Sequence, residues 1–195
     1  MTSINVLPSR PGLVTYDPDF LPRAEADALL AELLAATPWQ AETTRMYGRE
    51  LPVPRLTSWH GEADYTYGNR RHVAAPWTSS LLKLKEQAEA LAQARFNSVL
   101  LNLYRGGQDS VAWHADDETD LGPAPIVASI SLGAMRDFRL KPKPDRPPHP
   151  PVTLKLEHGS LLLMGAGLQA GWLHAVPKTA RPVGPRINLT YRYIH

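Results

Sequence analysis

The stretch Asn97 to Asp117, NSVLLNLYRGGQDSVAWHADD, holds the residue types best suited to chemistry. His114 and Asp116 stand two apart. On an extended backbone such a pair projects from one side while Ala115 points away, so the two can hold one ion together. Imidazole plus one carboxylate, completed by a second imidazole, is the facial triad that leaves positions open on a non-haem Fe(II). Zinc hydrolases use similar donors, and the half-site by itself does not choose the metal. The third ligand is expected far downstream, on a neighbouring strand. His174, in GWLHAVP, is the preferred candidate because a hairpin can bring it beside the strand that begins at Arg186. His158, in EHGS, is the competitor; His149 sits among prolines, His195 is terminal, and His60 and His72 precede the metal strand in loops.

The last segment, Arg186-Ile-Asn-Leu-Thr-Tyr-Arg192, alternates strictly, with Arg186, Asn188, Thr190 and Arg192 on one face and Ile187, Leu189 and Tyr191 on the other. Two readings stand. An edge strand would show these polar groups to water, whereas a strand lining a barrel would bury two arginines that then demand anionic partners. In the second case six residues of strand span about 20 Å, and two inward-folding guanidinium arms could hold the opposite ends of a short dicarboxylate.

The elements that must position these residues are legible in outline. Residues 22–36 read as a helix with Pro22 in its first turn and Leu29, Leu30, Leu33 and Leu34 as an apolar stripe. A second helix is expected over 78–95, with Leu81, Leu84, Ala88 and Leu91 on its buried face. Residues 1–20 read as irregular, apart from a short strand at Leu13-Val14, and residues 39–61 as a long functional loop or hairpin. Beyond the second helix the chain breaks into short strands, expected at 97–104, 111–116, 126–132, 136–141, 152–156, 161–164, 171–176 and 186–193. Eight short strands preceded by two helices fit an α+β, mainly β fold: a double-stranded β-helix, or jelly roll, with the N-terminal helices packed on one sheet. We expect one domain over 1–195: an N-terminal extension and helix to 45, recognition loops over 46–72, and a jelly-roll core over 97–195.

Composition narrows the class further. A chain of 195 residues with 43% hydrophobic and 21% charged residues is of ordinary globular type. The absence of cysteine excludes disulfides, iron–sulfur clusters and zinc-thiolate sites. No apolar run is long enough to span a bilayer and the N-terminus has no signal-peptide core, so a soluble cytoplasmic protein, nuclear in a eukaryote, is expected, acting as a monomer. The net charge of +2 is small but unevenly spread: Arg136 to Arg146 holds five bases against two acids, in a proline-rich stretch that can contact phosphates or simply be solvated.

In order, Asn102-Leu-Tyr104, His114-Ala-Asp116, His174 and Arg186-x5-Arg192 resemble the AlkB family of Fe(II)/2-oxoglutarate-dependent dioxygenases, in particular its homologue 2 and homologue 3 type of nucleic-acid demethylase. FNSVLLNLYRGG, HADDE, ASISLGAMRDF, HGSLLLM and PRINLTYR are similar to that group's phrases as well, and the similarity runs over roughly 46–195. The resemblance implies Fe(II) on His114, Asp116 and His174, which would be the catalytic centre. It implies 2-oxoglutarate at Asn102, Tyr104, Arg186, Thr190 and Arg192, with Asn188 sharing their face. Asp117, the run Tyr65-Thr66-Tyr67 and the hairpin Tyr47-Gly48-Arg49 match positions that meet the substrate; the hairpin aromatic is Tyr47 where that type has phenylalanine. The implied reaction is oxidative removal of methyl groups from 1-methyladenine and 3-methylcytosine in DNA, using dioxygen and 2-oxoglutarate and releasing succinate, carbon dioxide and formaldehyde. The rivals are a related dioxygenase acting on RNA or protein, a zinc hydrolase, and a nucleic-acid binder without catalysis.

Overall fold

A computed structural model describes residues 3–7, 9–10, 12–46, 48–67 and 70–195. In chain order the elements are β1 (Ile4–Asn5), β2 (Val14–Asp17), α1 (Arg23–Ala36), β3 (Gln40–Met46), β4 (Arg49–Gly61), β5 (Tyr65–Tyr67), β6 (Arg70–His72), α2 (Ser79–Ala92), β7 (Ser98–Tyr104), β8 (Val111–His114), β9 (Val127–Gly133), β10 (Arg136–Pro142), β11 (Val152–Leu156), β12 (Ser160–Met164), α3 (Leu168–Gly171), β13 (Trp172–Val176) and β14 (Arg186–Arg192). A large sheet runs β1-β2-β12-β9-β14-β7-β4-β3, a smaller one β11-β10-β13-β8, and β5 pairs β6 on its own. The two main sheets form the jelly roll expected from the strand spacing.

Strand β14 lies in the middle of the large sheet, between β9 and β7, and all seven of its residues are buried. That decides between the two readings of its alternation. Ile187, Leu189 and Tyr191 join the outer faces of β7 and β9 in a core completed by Leu29 and Leu33 of α1 and Leu81, Leu84 and Ala88 of α2. Fully burying one such leucine contributes about 1.5–3 kcal/mol. The Tyr191 hydroxyl donates to the Leu81 carbonyl at 2.9 Å, so the polar end of this buried ring also finds a partner on α2. The opposite face of β14, with its two arginines, is left to look between the sheets. A second apolar cluster, including Phe138, Leu140, Leu162, Met164 and Trp172, fills the rest of that interior.

Several boundaries differ from expectation for physical reasons. The N-terminal stretch is not only irregular: β2 pairs with β12 and extends the large sheet, with Val14 and Tyr16 buried. The jelly roll thus draws strands from before residue 97. Residues 39–61 form the hairpin alternative, and β4 contains Pro52 and Pro54. Both precede Leu56, where pairing with β7 begins; in that overhang a missing N–H costs no bond to a second neighbour. Helix α2 stops at Ala92 because Gln93 turns left-handed, and Leu91 is exposed rather than packed. Strand β8 ends at His114, two residues earlier than expected.

Candidate metal centre and cosubstrate cavity

Two imidazoles meet because their strands do. His114 of β8 and His174 of β13 are direct cross-strand partners, with ring centroids 4.2 Å apart. Asp116 sits just past the end of β8, where its backbone N–H donates to Gln169 Oε1 at 3.0 Å. Its carboxylate lies 3.9 Å from His114 Nε2 and 4.0 Å from His174 Nε2, and the ligand atoms of all three residues lie within 4.8 Å of one another. One ion can bridge such a group. His114 Nδ1 is 2.9 Å from the Ala112 carbonyl; donation there leaves Nε2 as the free donor atom for a metal.

Electrostatics already put two of the ligands in their binding states. Burial alone would raise the Asp116 pKa, but the positive charge of Arg192, with the two histidines, outweighs it and holds the carboxyl at about 2. Burial pushes His174 down to about 3 against the opposing pull of Asp116. At neutral pH one is a carboxylate and the other a neutral imidazole, so neither must lose a proton to coordinate.

A cavity of about 480 Å³, mouth included, extends from this trio between the sheets. Asn102 and Tyr104 of β7 and Arg186, Asn188, Thr190 and Arg192 of β14 all line it, brought together because Arg186 pairs with Tyr104 and Asn188 with Asn102 across the two strands. The two arginines differ in what holds them. Arg192 is at the metal end, donating to Asp116 Oδ1 at 2.8 Å. Arg186 is 1% exposed; one terminal nitrogen donates to Ser131 Oγ at 2.8 Å, while Nε and Nη1 make no hydrogen bond among the described residues. A buried guanidinium with open donors is costly unless an anion satisfies it. An acidic ligand reaching Arg186 from the metal end would meet this requirement.

Some participants were missed by sequence reasoning. Ser129 and Ser131 alternate on β9 and serve Asn188 Nδ2 and Arg186, each at 2.8 Å; their period-two spacing could have revealed them. Phe138 of β10 stacks on His174 with centroids 5.4 Å apart. Arg55 of β4 donates through Nε to Asn102 Oδ1 at 2.7 Å, and nothing in the local sequence separates it from other loop arginines. Arg55 also borders a second cavity of about 610 Å³, open mouth included, that lies beside His114 and Asp116 and is lined by Glu42, Thr57, Trp59 and Glu118 among others.

The expected substrate residues are less gathered. Asp117 is exposed outside both cavities, its carboxylate accepting from Lys143 Nζ at 2.8 Å. Gly48 and Arg49 are exposed at the β3–β4 turn, where Gly48 takes φ +76°, and Tyr47 lies outside the described residues. The Tyr65–Tyr67 run forms β5, paired to β6. His158 stands apart from the trio: its Nδ1 accepts from the Gly133 N–H at 2.7 Å and its Nε2 faces Asp27 of α1 at 3.1 Å.

A jelly roll with a His-Asp-His trio, its Asp116 and His174 buried and its His114 partly open, at one end of a cavity and an open guanidinium at the other defines an Fe(II)/2-oxoglutarate dioxygenase. The family model of the 2OG-Fe(II) oxygenase superfamily matches residues 13–192, and the chain belongs to that superfamily, in its AlkB branch. It is 41% identical to the alpha-ketoglutarate-dependent dioxygenase alkB homolog 3 of Bos taurus, over 98% of this chain and 70% of that protein. To the DNA oxidative demethylase ALKBH2 of Homo sapiens it is 34% identical, over 88% of this chain and 70% of that one. The solved structure of OsALKBH1 superposes with a TM-score of 0.66 at 18% identity, covering 94% of this chain and 97% of that one, and so shares the fold.

Proposed function

We propose that this chain, acting as a monomer, demethylates N-methylated bases of DNA, with 1-methyladenine and 3-methylcytosine as substrates. The observation that carries this reading is the single cavity joining the His114-Asp116-His174 trio to the open donors of Arg186. His114, Asp116 and His174 would hold iron; Arg186 would take the distal carboxylate of 2-oxoglutarate, with Asn102, Tyr104, Asn188 and Thr190 shaping the passage. Iron and 2-oxoglutarate together supply oxygen activation, with succinate and carbon dioxide as coproducts, and an oxidised N-methyl group leaves as formaldehyde. Arg192 keeps Asp116 ionised and fixed in direction. It stands at the metal end and already holds Asp116, so it is a support for the ligand as much as a second clamp on the cosubstrate.

The second cavity is the entry for the base. Its opening beside His114 and its two glutamates, Glu42 and Glu118, suit a ring carrying positive charge, as both proposed lesions do. A base reaches such a recess only when unstacked, and a methylated pairing edge lowers that cost. Gly48 and Arg49 of the β3–β4 turn, the neighbouring Tyr47 of the sequence, and the β5 strand, with Tyr65, Thr66 and Tyr67, are assigned to the surrounding strand, and Asp117 to the rim. The name of the ALKBH2 relatives, which specifies DNA, favours DNA over protein as the partner.

Formaldehyde release from one methylated sequence, presented as single-stranded DNA, duplex DNA and RNA, tests the reading. Release from at least one of the DNA forms is expected. Release from RNA alone, or from none of the three with iron and 2-oxoglutarate supplied, would overturn it. Tyr47→Ala adds a second arm: we expect a loss several times greater on duplex than on the unpaired strand, and equal losses would remove the hairpin from duplex recognition.

A further inference from the structure

Arg136 is a buried cation that the site described above does not use. It opens β10 and is 3% exposed. Its guanidinium reaches no carboxylate within ion-pair distance among the described residues and is held by three backbone carbonyls: Nη1 donates to Gly106 at 3.1 Å, and Nη2 to Asp109 at 2.9 Å and Pro177 at 2.6 Å. Gly106 and Asp109 belong to the turn that leaves β7 and leads to β8, and Pro177 directly follows β13. One side chain therefore ties together the ends of the strands that carry Tyr104, His114 and His174. Lysine could not do this, because only the planar fork presents several donors in fixed directions.

Its position relative to Tyr104 adds a second point. The Arg136 guanidinium carbon lies 5.7 Å from the centre of the Tyr104 ring, and the Arg186 guanidinium carbon lies 5.0 Å from the same centre. Two buried cations thus share one aromatic ring at the end of the cavity away from the metal. Like charges so placed oppose each other, and burial works against both. Carbonyl oxygens compensate Arg136 with dipoles, and the carboxylates of Asp109 and Asp137 offset its burial only from beyond ion-pair distance. A ligand that brings a full negative charge to this end relieves both arginines.

We propose that Arg136 is a positioning residue for 2-oxoglutarate: it fixes Tyr104 and the turn after β7 against Arg186, and it adds a second positive charge behind the distal carboxylate. The proposal rests on the reading that Arg186 receives that carboxylate.

The test is a binding measurement on protein loaded with Mn(II), which holds the cosubstrate without turnover. Calorimetry compares 2-oxoglutarate with 2-oxovalerate, a chain of equal length whose far end is a methyl group. Wild type, R186Q, R136K and R136Q are compared. R136Q is expected to weaken 2-oxoglutarate about tenfold and 2-oxovalerate less than threefold. R136K, which keeps the charge but loses the fork, should fall between wild type and R136Q, and it is the decisive variant should R136Q fold poorly. An R136K affinity for 2-oxoglutarate within twofold of wild type, or equal losses for the two ligands, overturns the proposal and leaves Arg136 a scaffold residue. If instead R186Q fails to weaken 2-oxoglutarate, the assignment of Arg186 is what fails, and the R186Q arm makes that failure visible.

Discussion

Asp116 must satisfy two positive neighbours, a metal and Arg192, from one buried carboxylate. Its Oδ1 already accepts from Arg192, while Oδ2 is buried and makes no hydrogen bond among the described residues. The division leaves one oxygen for the metal and one for the arginine that orients it, the usual support of a ligating carboxylate by a neighbouring donor. His174 has less support, since its Nδ1 makes no hydrogen bond among the described residues; packing against Phe138 is what holds the ring. Removing it leaves a two-ligand site. His174→Ala should reduce iron binding by at least about 100-fold, a direct ligand counting for no less than the supporting groups around it, whose loss costs 10–100-fold. His158→Ala should bind iron as wild type does but lose about 1–2 kcal/mol of stability, because the partly buried Gly133 N–H loses its acceptor. Isothermal titration with a divalent metal, beside thermal unfolding of both variants, checks this. Iron binding lost in His158→Ala and kept in His174→Ala would reverse the ligand assignment.

Among the elements, β14 and its two neighbours hold much of the cavity wall proposed to meet the cosubstrate, and their junction is tightly built. Gly133 ends β9 at φ +91°, opposite Arg186, and a Cβ there would press into the Pro185 carbonyl oxygen. Gly133→Ala combines a strained backbone with a backbone clash. It should cost roughly 2–4 kcal/mol and, by displacing Arg186, weaken 2-oxoglutarate more than it weakens metal; chemical denaturation and cosubstrate titration read the two effects. Sequence alone exposed β14 because alternation of charge and apolar bulk is a local signal. The same local logic found His114-Ala-Asp116, although Asp116 reaches the metal from beyond the strand end rather than from within it. Arg55 and Arg136 were not legible, since their partners are 47 residues away at Asn102 and 41 away at Pro177. The long β4 was hidden by its prolines, which read as breakers until the one-sided pairing of that segment is known.

Over the molecule as a whole the net charge is a modest +2, with basic side chains grouped in and after β10. The stretch after β10 carries Lys143, bonded to Asp117 at 2.8 Å, and Arg146, whose guanidinium reaches the Ala170 carbonyl at 3.2 Å. Both stand close in sequence or contact to the metal segment, and Lys143 can exchange an exposed carboxylate for a phosphate at little cost. If these residues meet the nucleic acid, binding falls with salt, each phosphate contact on a single strand adding a slope of about −0.7 to the log–log plot. Lys143→Ala with Arg146→Ala, which removes two such contacts, should flatten that slope by about 1.4 and leave cosubstrate binding alone. Fluorescence anisotropy of a labelled methylated strand over a salt series checks it, and an unchanged slope would place the DNA elsewhere.

The most direct test of the account couples its two halves in one vessel: succinate and formaldehyde are counted together as the protein, with Fe(II) and 2-oxoglutarate, acts on a single strand carrying one 1-methyladenine. The account predicts that the two products appear in equal amounts, that the oligonucleotide loses one methylene unit of mass, and that an unmethylated strand yields neither product above the background of enzyme alone. Steady succinate without formaldehyde, and with the methylated strand unaltered, would contradict it and point to a dioxygenase of the same superfamily working on another substrate.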